Sequence, residues 1–281
     1  CQLFELASSP DNNVHKQVMQ SLEQFSQLPD FDKYLVTIFA QMSGQHEVVR
    51  QRAGLLLKKQ DLRSDSSEYI RANALLAVRD PNKVIRHTAG SVITTIVQKA
   101  GVQSCCQTLD QLAECLRDAN PDTVEGGFNA LSKICEDGVT LLKQAWEMPT
   151  AETQTFITWC TTRLLPRVLE YATPSAPVVA RQNAIEILNH FALNYMFNDL
   201  QLAYMYPTLE GFDEKYIEVL GRLAKDTDVT VLKDVCKGFV CVIEQNWRCL
   251  KQEICQVVLR YMLEASRHPE YVVRLEALEA W

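Results

Sequence analysis

The chain has 281 residues, 47% apolar and 22% charged, with 10 glycines, 10 prolines and no stretch rich in both. This is the composition of a packed protein, not a disordered one, and the scarcity of turn residues favours helices over strands. The net charge of −7 argues against nucleic acid as a direct partner, because phosphate binding needs a basic footprint, and suits basic partners or plain solubility.

Along the chain one pattern returns: an apolar residue, three variable residues, then a small or apolar residue at the start of a helix. It reads Val14–Val18, Val49–Ala53, Ile85–Ala89, Val124–Phe128, Ala180–Ala184, Val231–Val235 and Val273–Ala277. The first positions lie 35, 36, 39, 56, 51 and 42 residues apart, an array that is regular at first and stretched in the middle. Several copies follow a polar residue and a proline: Ser9-Pro10, Asp80-Pro81, Asn120-Pro121 and His268-Pro269. A polar cap followed by proline is a helix-start signal, since proline has no amide to satisfy there. Between the copies lie amphipathic stripes, in chain order Phe31, Tyr34, Leu35, Ile38, Phe39 and Met42, then Leu109, Leu112, Ala113 and Leu116. Two more follow: Tyr216, Val219, Leu220 and Leu223, and Ile254, Val257, Val258, Tyr261 and Met262, all at three-and-four spacing.

A first helix A thus alternates with a second helix B about seven times. One hairpin of this size cannot bury its apolar face alone, so neighbours must stack. The expected fold is an all-α, right-handed α-solenoid of HEAT repeats. Two stretches depart from it: 148–155 reads as a loop before a helix over 156–172, and 198–211 is aromatic and irregular.

Of the ten cysteines, Cys115, Cys135, Cys160, Cys236 and Cys241 fall within apolar helical patterns, and there is no Cys-x-x-Cys pair and no glycosylation sequon. Buried free thiols in a reducing compartment are expected. No apolar run is long enough to span a membrane. The chain begins at Cys1 without methionine, so its first residue is not expected to be the translational start, and no signal peptide is expected.

Four strings carry a more specific resemblance. Ser26–Leu35 contains Pro-Asp-Phe and then Tyr-Leu; Ala53–Lys59 reads Ala-Gly-Leu-Leu-Leu-Lys-Lys; Ile85–Ile96 ends Thr-Thr-Ile; and Glu125–Asp137 ends Lys-Ile-Cys-Glu-Asp. In this order and at this spacing they resemble the N-terminal repeats of the transportin branch of the importin-β family of nuclear transport receptors. Lys59 departs from the asparagine usual in that family, and the resemblance weakens beyond Gly138. It implies an N-terminal arch over 1–138 (repeats 1–4) that receives Ran-GTP on its B helices, and a continuous segment over 139–281 (repeats 5–7). A C-terminal, cargo-binding arch would be absent. In a full-length receptor the resemblance further implies cargo bearing a nuclear localisation signal, nucleoporin repeats as partners, and shuttling between cytoplasm and nucleus. No cofactor, nucleic acid or membrane is implied.

The candidate Ran-binding residues are polar positions on the B helices: Gln17, Gln20 and Gln24 in the first, and Leu55, Lys58 and Lys59 in the second. Thr94, Thr95 and Lys99 stand in the third, and Asn129, Lys133, Glu136 and Asp137 in the fourth. Lys58, Lys59 and Lys99 and the threonines have a plainer alternative. Lysines at a helix end suit its dipole, and threonine bonds back to its own helix. Glu136 and Asp137, read as lying at a helix C-terminus, would there be unfavourable by several tenths of a kcal/mol or so, which points to another purpose, contact with a basic surface of the GTPase.

An enzyme is not expected. No phosphate loop, nucleophile elbow or dinucleotide fingerprint occurs. His46-Glu47-Val48-Val49-Arg50 lacks the second histidine of a zinc protease, and the loop at Asp226-Thr227-Asp228 has Val231 where a calcium loop needs glycine, so no metal is expected. The rivals are a HEAT scaffold of another class (a phosphatase scaffold or a vesicle-coat subunit) and an importin-β-type receptor outside the transportin branch.

Overall fold

The computed structural model describes residues 1–60, 67–147, 150–192, 212–246 and 252–281, and every regular element among them is a helix. The fold is all-α and of the HEAT solenoid class. The chain divides into two compact units, Cys1–Ile134 and Cys135–Trp281, against the division at 138/139 drawn from the sequence.

Unit 1 holds α1 (Gln2–Leu6), α2 (Asn12–Ser26), α3 (Phe31–Ala40), α4 (Glu47–Lys59), α5 (Ser67–Ala77), α6 (Lys83–Ala100), α7 (Val102–Cys115) and the first half of α8 (Pro121–Glu147). Odd-numbered helices are the A helices and even-numbered ones the B helices. B packs on B (α4 on α6) and A on A (α3 on α5), while each A also lies against its own B. The recurring five-residue pattern is what stacks them. Its first and fifth residues share a helix face, and Val49, Ala53, Ile85, Ala89 and Phe128 are all buried. In α3 the buried stripe is Phe31, Leu35, Val36 and Phe39, whereas Tyr34 is 62% exposed. One residue of the expected stripe therefore points to solvent.

Unit 2 holds the rest of α8, then α9 (Ala151–Trp159), a π-helical turn (Cys160–Leu164), α10 (Leu165–Tyr171), α11 (Val178–Phe191), α12 (Phe212–Leu223), α13 (Val229–Asn246), α14 (Gln252–Ala265) and α15 (Tyr271–Leu278). Here α11, α13 and α15 are the B helices and pack in succession. Ala180, Ala184, Val231, Val235, Val273 and Ala277 repeat the buried pattern, and the stripe Tyr216, Val219, Leu220 and Leu223 is fully buried. The stripe in α14 is narrower than expected: Val258 and Met262 are buried, but Val257 is 68% exposed.

The helix of the middle region starts at Ala151, not at 156, and is not uniformly α. Pro166 has no amide to offer the carbonyl four residues earlier. The ladder widens there, with the Leu165 amide bonding the Cys160 carbonyl, a π turn of the kind that relieves such a break. Residues 148–149 and the irregular stretch 198–211 lie outside the described residues.

The start signals prove two-tiered. Asn120 caps α8 directly, its Oδ1 accepting from the Asp122 amide at 2.9 Å. At α2 and α6, by contrast, the caps are Asp11 and Asn82, two residues past the expected Ser9 and Asp80. The earlier residue instead holds the cap: Ser9 Oγ accepts from the Asp11 amide at 3.2 Å and Asp80 Oδ1 from the Asn82 amide at 2.9 Å. Asp226 and Asp228 repeat this before α13.

The residue that holds the cap also receives the arginine of the preceding B helix. Arg50 pairs with Asp80. Arg181 grips Asp226 through two contacts, Nε to Oδ2 at 2.7 Å and Nη2 to Oδ1 at 2.9 Å. Each of these arginines sits second in the repeat pattern, so one residue type both braces its own hairpin and ties it to the next. Removing one partner of so buried a pair typically costs about 3–5 kcal/mol, because the other charge is left stranded.

The cysteines match the expectation of buried hydrophobes. The described cysteines are free thiols, and burial pushes Cys135 and Cys241 up to about 12 and Cys236 up to about 11. At ordinary pH these thiols are neutral and inert.

Candidate functional site

In unit 1 the B helices α2, α4 and α6 and the first half of α8 carry the candidate residues other than Glu136 and Asp137, and the structure sorts these into two groups. The first group is exposed. Gln17, Gln20 and Gln24 lie on the solvent side of α2, a helix that buries only Val18. Between α2 and α4 runs a groove of about 240 Å³, with Phe4, Val18, Leu22 and Leu56 among its lining residues. Met19, 67% exposed, and Leu55, 45% exposed, also line it, with His15, Arg52 and Lys59 as its polar lining residues. Arg52 is fixed in place: it donates to the Phe4 carbonyl and, at 2.8 Å, to Ser8 Oγ, hooking the end of α1. Lys58 and Lys59 are exposed in the last turn of α4. Lys99, in the last turn of α6, donates to the Gln60 carbonyl at 2.5 Å, bringing a third ammonium to that helix end. Cations there complement the helix dipole, which makes this corner basic in a chain that is acidic overall.

The second group is turned inward. Thr94 and Thr95 are only 4% and 8% exposed, and their hydroxyls donate to the Gly90 and Ser91 carbonyls at 2.8 and 3.0 Å. The plainer alternative for these threonines is the one the structure shows. Lys133 reaches from α8 to α6 and donates to the His87 carbonyl at 2.7 Å and to Ser91 Oγ at 2.9 Å. Asn129 faces Gly90, where a Cβ would come within 2.9 Å of its Oδ1. These residues hold helices together more than they present a surface.

Around Lys133 lies a polar knot that sequence reasoning missed. Glu125 of α8 receives Arg86 Nε at 2.9 Å, Lys83 Nζ at 3.1 Å and His87 Nε2 at 3.3 Å, all from α6. Burial alone would raise the Glu125 pKa, but the three donors together outweigh it and hold the carboxyl below its ordinary value. Burial lowers His87, against the pull of Glu125. A signal for this knot exists in the repeat pattern. Its second position is Arg50 and Arg86 in the two preceding copies and Arg181 in the next, but Glu125 in the fourth, a sign reversal between neighbouring helices.

Glu136 and Asp137 belong to unit 2 and are exposed. Because α8 continues to Glu147, they lie in mid-helix and not at a C-terminus. The dipole penalty expected for them therefore does not apply, while their exposure keeps them available to a partner.

Residues 18–80 match the family model described as the importin-beta N-terminal domain. The chain is 29% identical to mouse (Mus musculus) transportin-1 over 287 aligned residues, covering 100% of this chain and 29% of that protein. It is also 29% identical to importin subunit beta-2 of Schizosaccharomyces pombe, covering 97% of this chain and 29% of the relative. The chain thus spans less than a third of the length of either relative. Among solved structures it superposes on Kap95p, studied for how its binding switches the loops of RanGDP to the GTP-bound conformation. The TM-score is 0.73 at 15% identity, covering 100% of this chain and 33% of that one, a likeness of fold. The family model and these relatives together place the chain in the importin-β family, on its transportin branch, as a counterpart of the N-terminal part of those receptors.

Proposed function

We propose that this chain is the N-terminal part of a nuclear import receptor and binds Ran-GTP on the B-helix face of unit 1. The observation that carries the reading is the exposed corner of α2 and α4. Leu55 and Met19 stand open to solvent in a groove beside Lys58, Lys59 and Arg52, and exposed apolar side chains inside a charged frame are the usual mark of a protein-binding site. Kap95p, whose fold this chain shares, switches the loops of RanGDP to the GTP-bound conformation on binding. The contact set narrows to Gln17, Gln20, Gln24, Leu55, Lys58 and Lys59, with Lys99 at its edge and Glu136 and Asp137 as a separate acidic contact. Lys133 and Asn129 act as supports from behind, as do Thr94 and Thr95. In the full-length receptor, Ran-GTP binding would favour one curvature of the array and so release cargo bearing a nuclear localisation signal. Nucleoporin repeats would be further partners during shuttling between cytoplasm and nucleus.

The test is calorimetric titration of the chain with Ran loaded with a non-hydrolysable GTP analogue, and separately with GDP. Preference for the GTP form is expected. Equal binding of the two forms, or none, would sink the reading.

A further inference from the structure

Within unit 2, α11, α12 and α13 meet at a single buried amide. Asn189 of α11 is 2% exposed and Tyr216 of α12 is fully buried. The Tyr216 hydroxyl donates to Asn189 Oδ1 at 2.7 Å, and Asn189 Nδ2 donates to the Asp234 carbonyl of α13 at 2.8 Å. Both ends of the amide are therefore used, each by a different helix. Four residues beyond Asp234, one helical turn on, stands Gly238. A Cβ at Gly238 would lie 2.6 Å from Leu220 Cδ2, 2.7 Å from Tyr216 Oη and 2.9 Å from Asn189 Oδ1. Only glycine lets α13 approach closely enough for the amide to reach its backbone.

We infer that Asn189 is a latch that locks α12 and α13 onto α11, so that hairpin 5 (ending in α11) and hairpin 6 (α12 with α13) open and close as one block. The physical ground is the difference between polar and apolar packing. Apolar side chains can slide by fractions of an ångström and lose contact energy gradually. An amide held at both ends in an apolar surround has no halfway state, because parting leaves a donor and an acceptor buried without partners. Unit 1 supplies the contrast. There Asn129 of α8 also faces a glycine, Gly90 of α6, but among the described residues its Oδ1 accepts no hydrogen bond. The amide there is packed against glycine in the same way but makes no closing bond, and that joint is held instead by Lys133 and the Glu125 knot. A partner that alters the pitch of the array would then do so at other joints and carry hairpins 5 and 6 along unchanged.

Hydrogen exchange on the 281-residue chain, read by mass spectrometry over peptides from α11, α12 and α13, tests the latch. In the parent chain the three helices should share one opening, with the same dependence on denaturant. Tyr216→Phe removes one hydroxyl, and α12 should then exchange about tenfold faster than α11 and α13. The pair Asn189→Leu with Tyr216→Phe removes both polar groups, so no buried amide is stranded. It should keep the parent's helicity and cooperative melting yet still free α12 from its neighbours. If Tyr216→Phe speeds all three helices equally, or leaves α12 as protected as before, the latch is overturned. A single shared opening retained in the double variant would overturn it as well.

Discussion

A methyl group added at Gly126 would lie 2.1 Å from the Val78 carbonyl oxygen, a backbone atom that cannot turn aside, whereas at Gly221 it would meet nothing within 4 Å. The two glycines therefore predict opposite outcomes for one substitution. Gly126→Ala should destabilise by about 3 kcal/mol, the upper end of what overpacking costs. Gly221→Ala, exposed and inside α12, should stabilise by about 0.5–1 kcal/mol through helix propensity. Urea denaturation of the two variants checks the pair, and a loss at Gly221 would contradict the open space seen there. Neither outcome is legible in the sequence, because the atom that Gly126 avoids belongs to a helix end 48 positions away. The inward roles of Thr94, Thr95 and Lys133 are hidden for the same reason. A pattern shows that a residue is polar, but it does not show whether a carbonyl one turn back, or on the next helix, already satisfies it.

At the scale of elements the sequence is more informative, since a pattern repeated seven times constrains each copy. The B helices, their buried first and fifth positions and the alternation of A with B are all readable. The cap position is not, because proline marks the start of the polar turn and the capping residue follows it at α2 and α6. The knot between α6 and α8 adds a prediction about pH. Burial holds the pKa of His87 below its ordinary 6.5, so below that value the unfolded chain takes up more protons there than the folded one, and stability falls as pH drops. Glu125 is lowered from its ordinary 4.5 because its donors together outweigh burial. Its contribution is present above that value and is lost as pH falls through the lower, folded one. Both groups act in the same direction. Acidification from pH 7 should weaken the α6–α8 joint first below about 6.5 and again below about 4.5. Exchange of α6 and α8 amides against pH measures this, and His87→Gln should abolish the first phase while sparing the second. An unchanged first phase in that variant would assign it to another group.

For the whole molecule, the distribution of charge matters more than its sum. Unit 1 carries 14 basic and 15 acidic residues, and the rest of the chain carries 14 and 20, so the acidity lies almost wholly in unit 2. The net charge alone suits basic partners or plain solubility, whereas the exposed corner of unit 1 at Lys58, Lys59, Lys99 and Arg52 calls for an acidic contact on the partner. Individual exposed pairs contribute only about 0–1 kcal/mol, so the apolar contact at Leu55 should dominate affinity and the charges should govern rate and salt response. Leu55→Asp is therefore expected to weaken binding of Ran-GTP about tenfold or more, mainly through faster dissociation. Lys58→Glu with Lys59→Glu should slow association and flatten its dependence on salt. Surface plasmon resonance at several ionic strengths separates the two. Should the lysine pair change dissociation and leave the salt slope intact, these residues would be direct contacts in a desolvated interface, and the corner would bind by its charges and not by its groove.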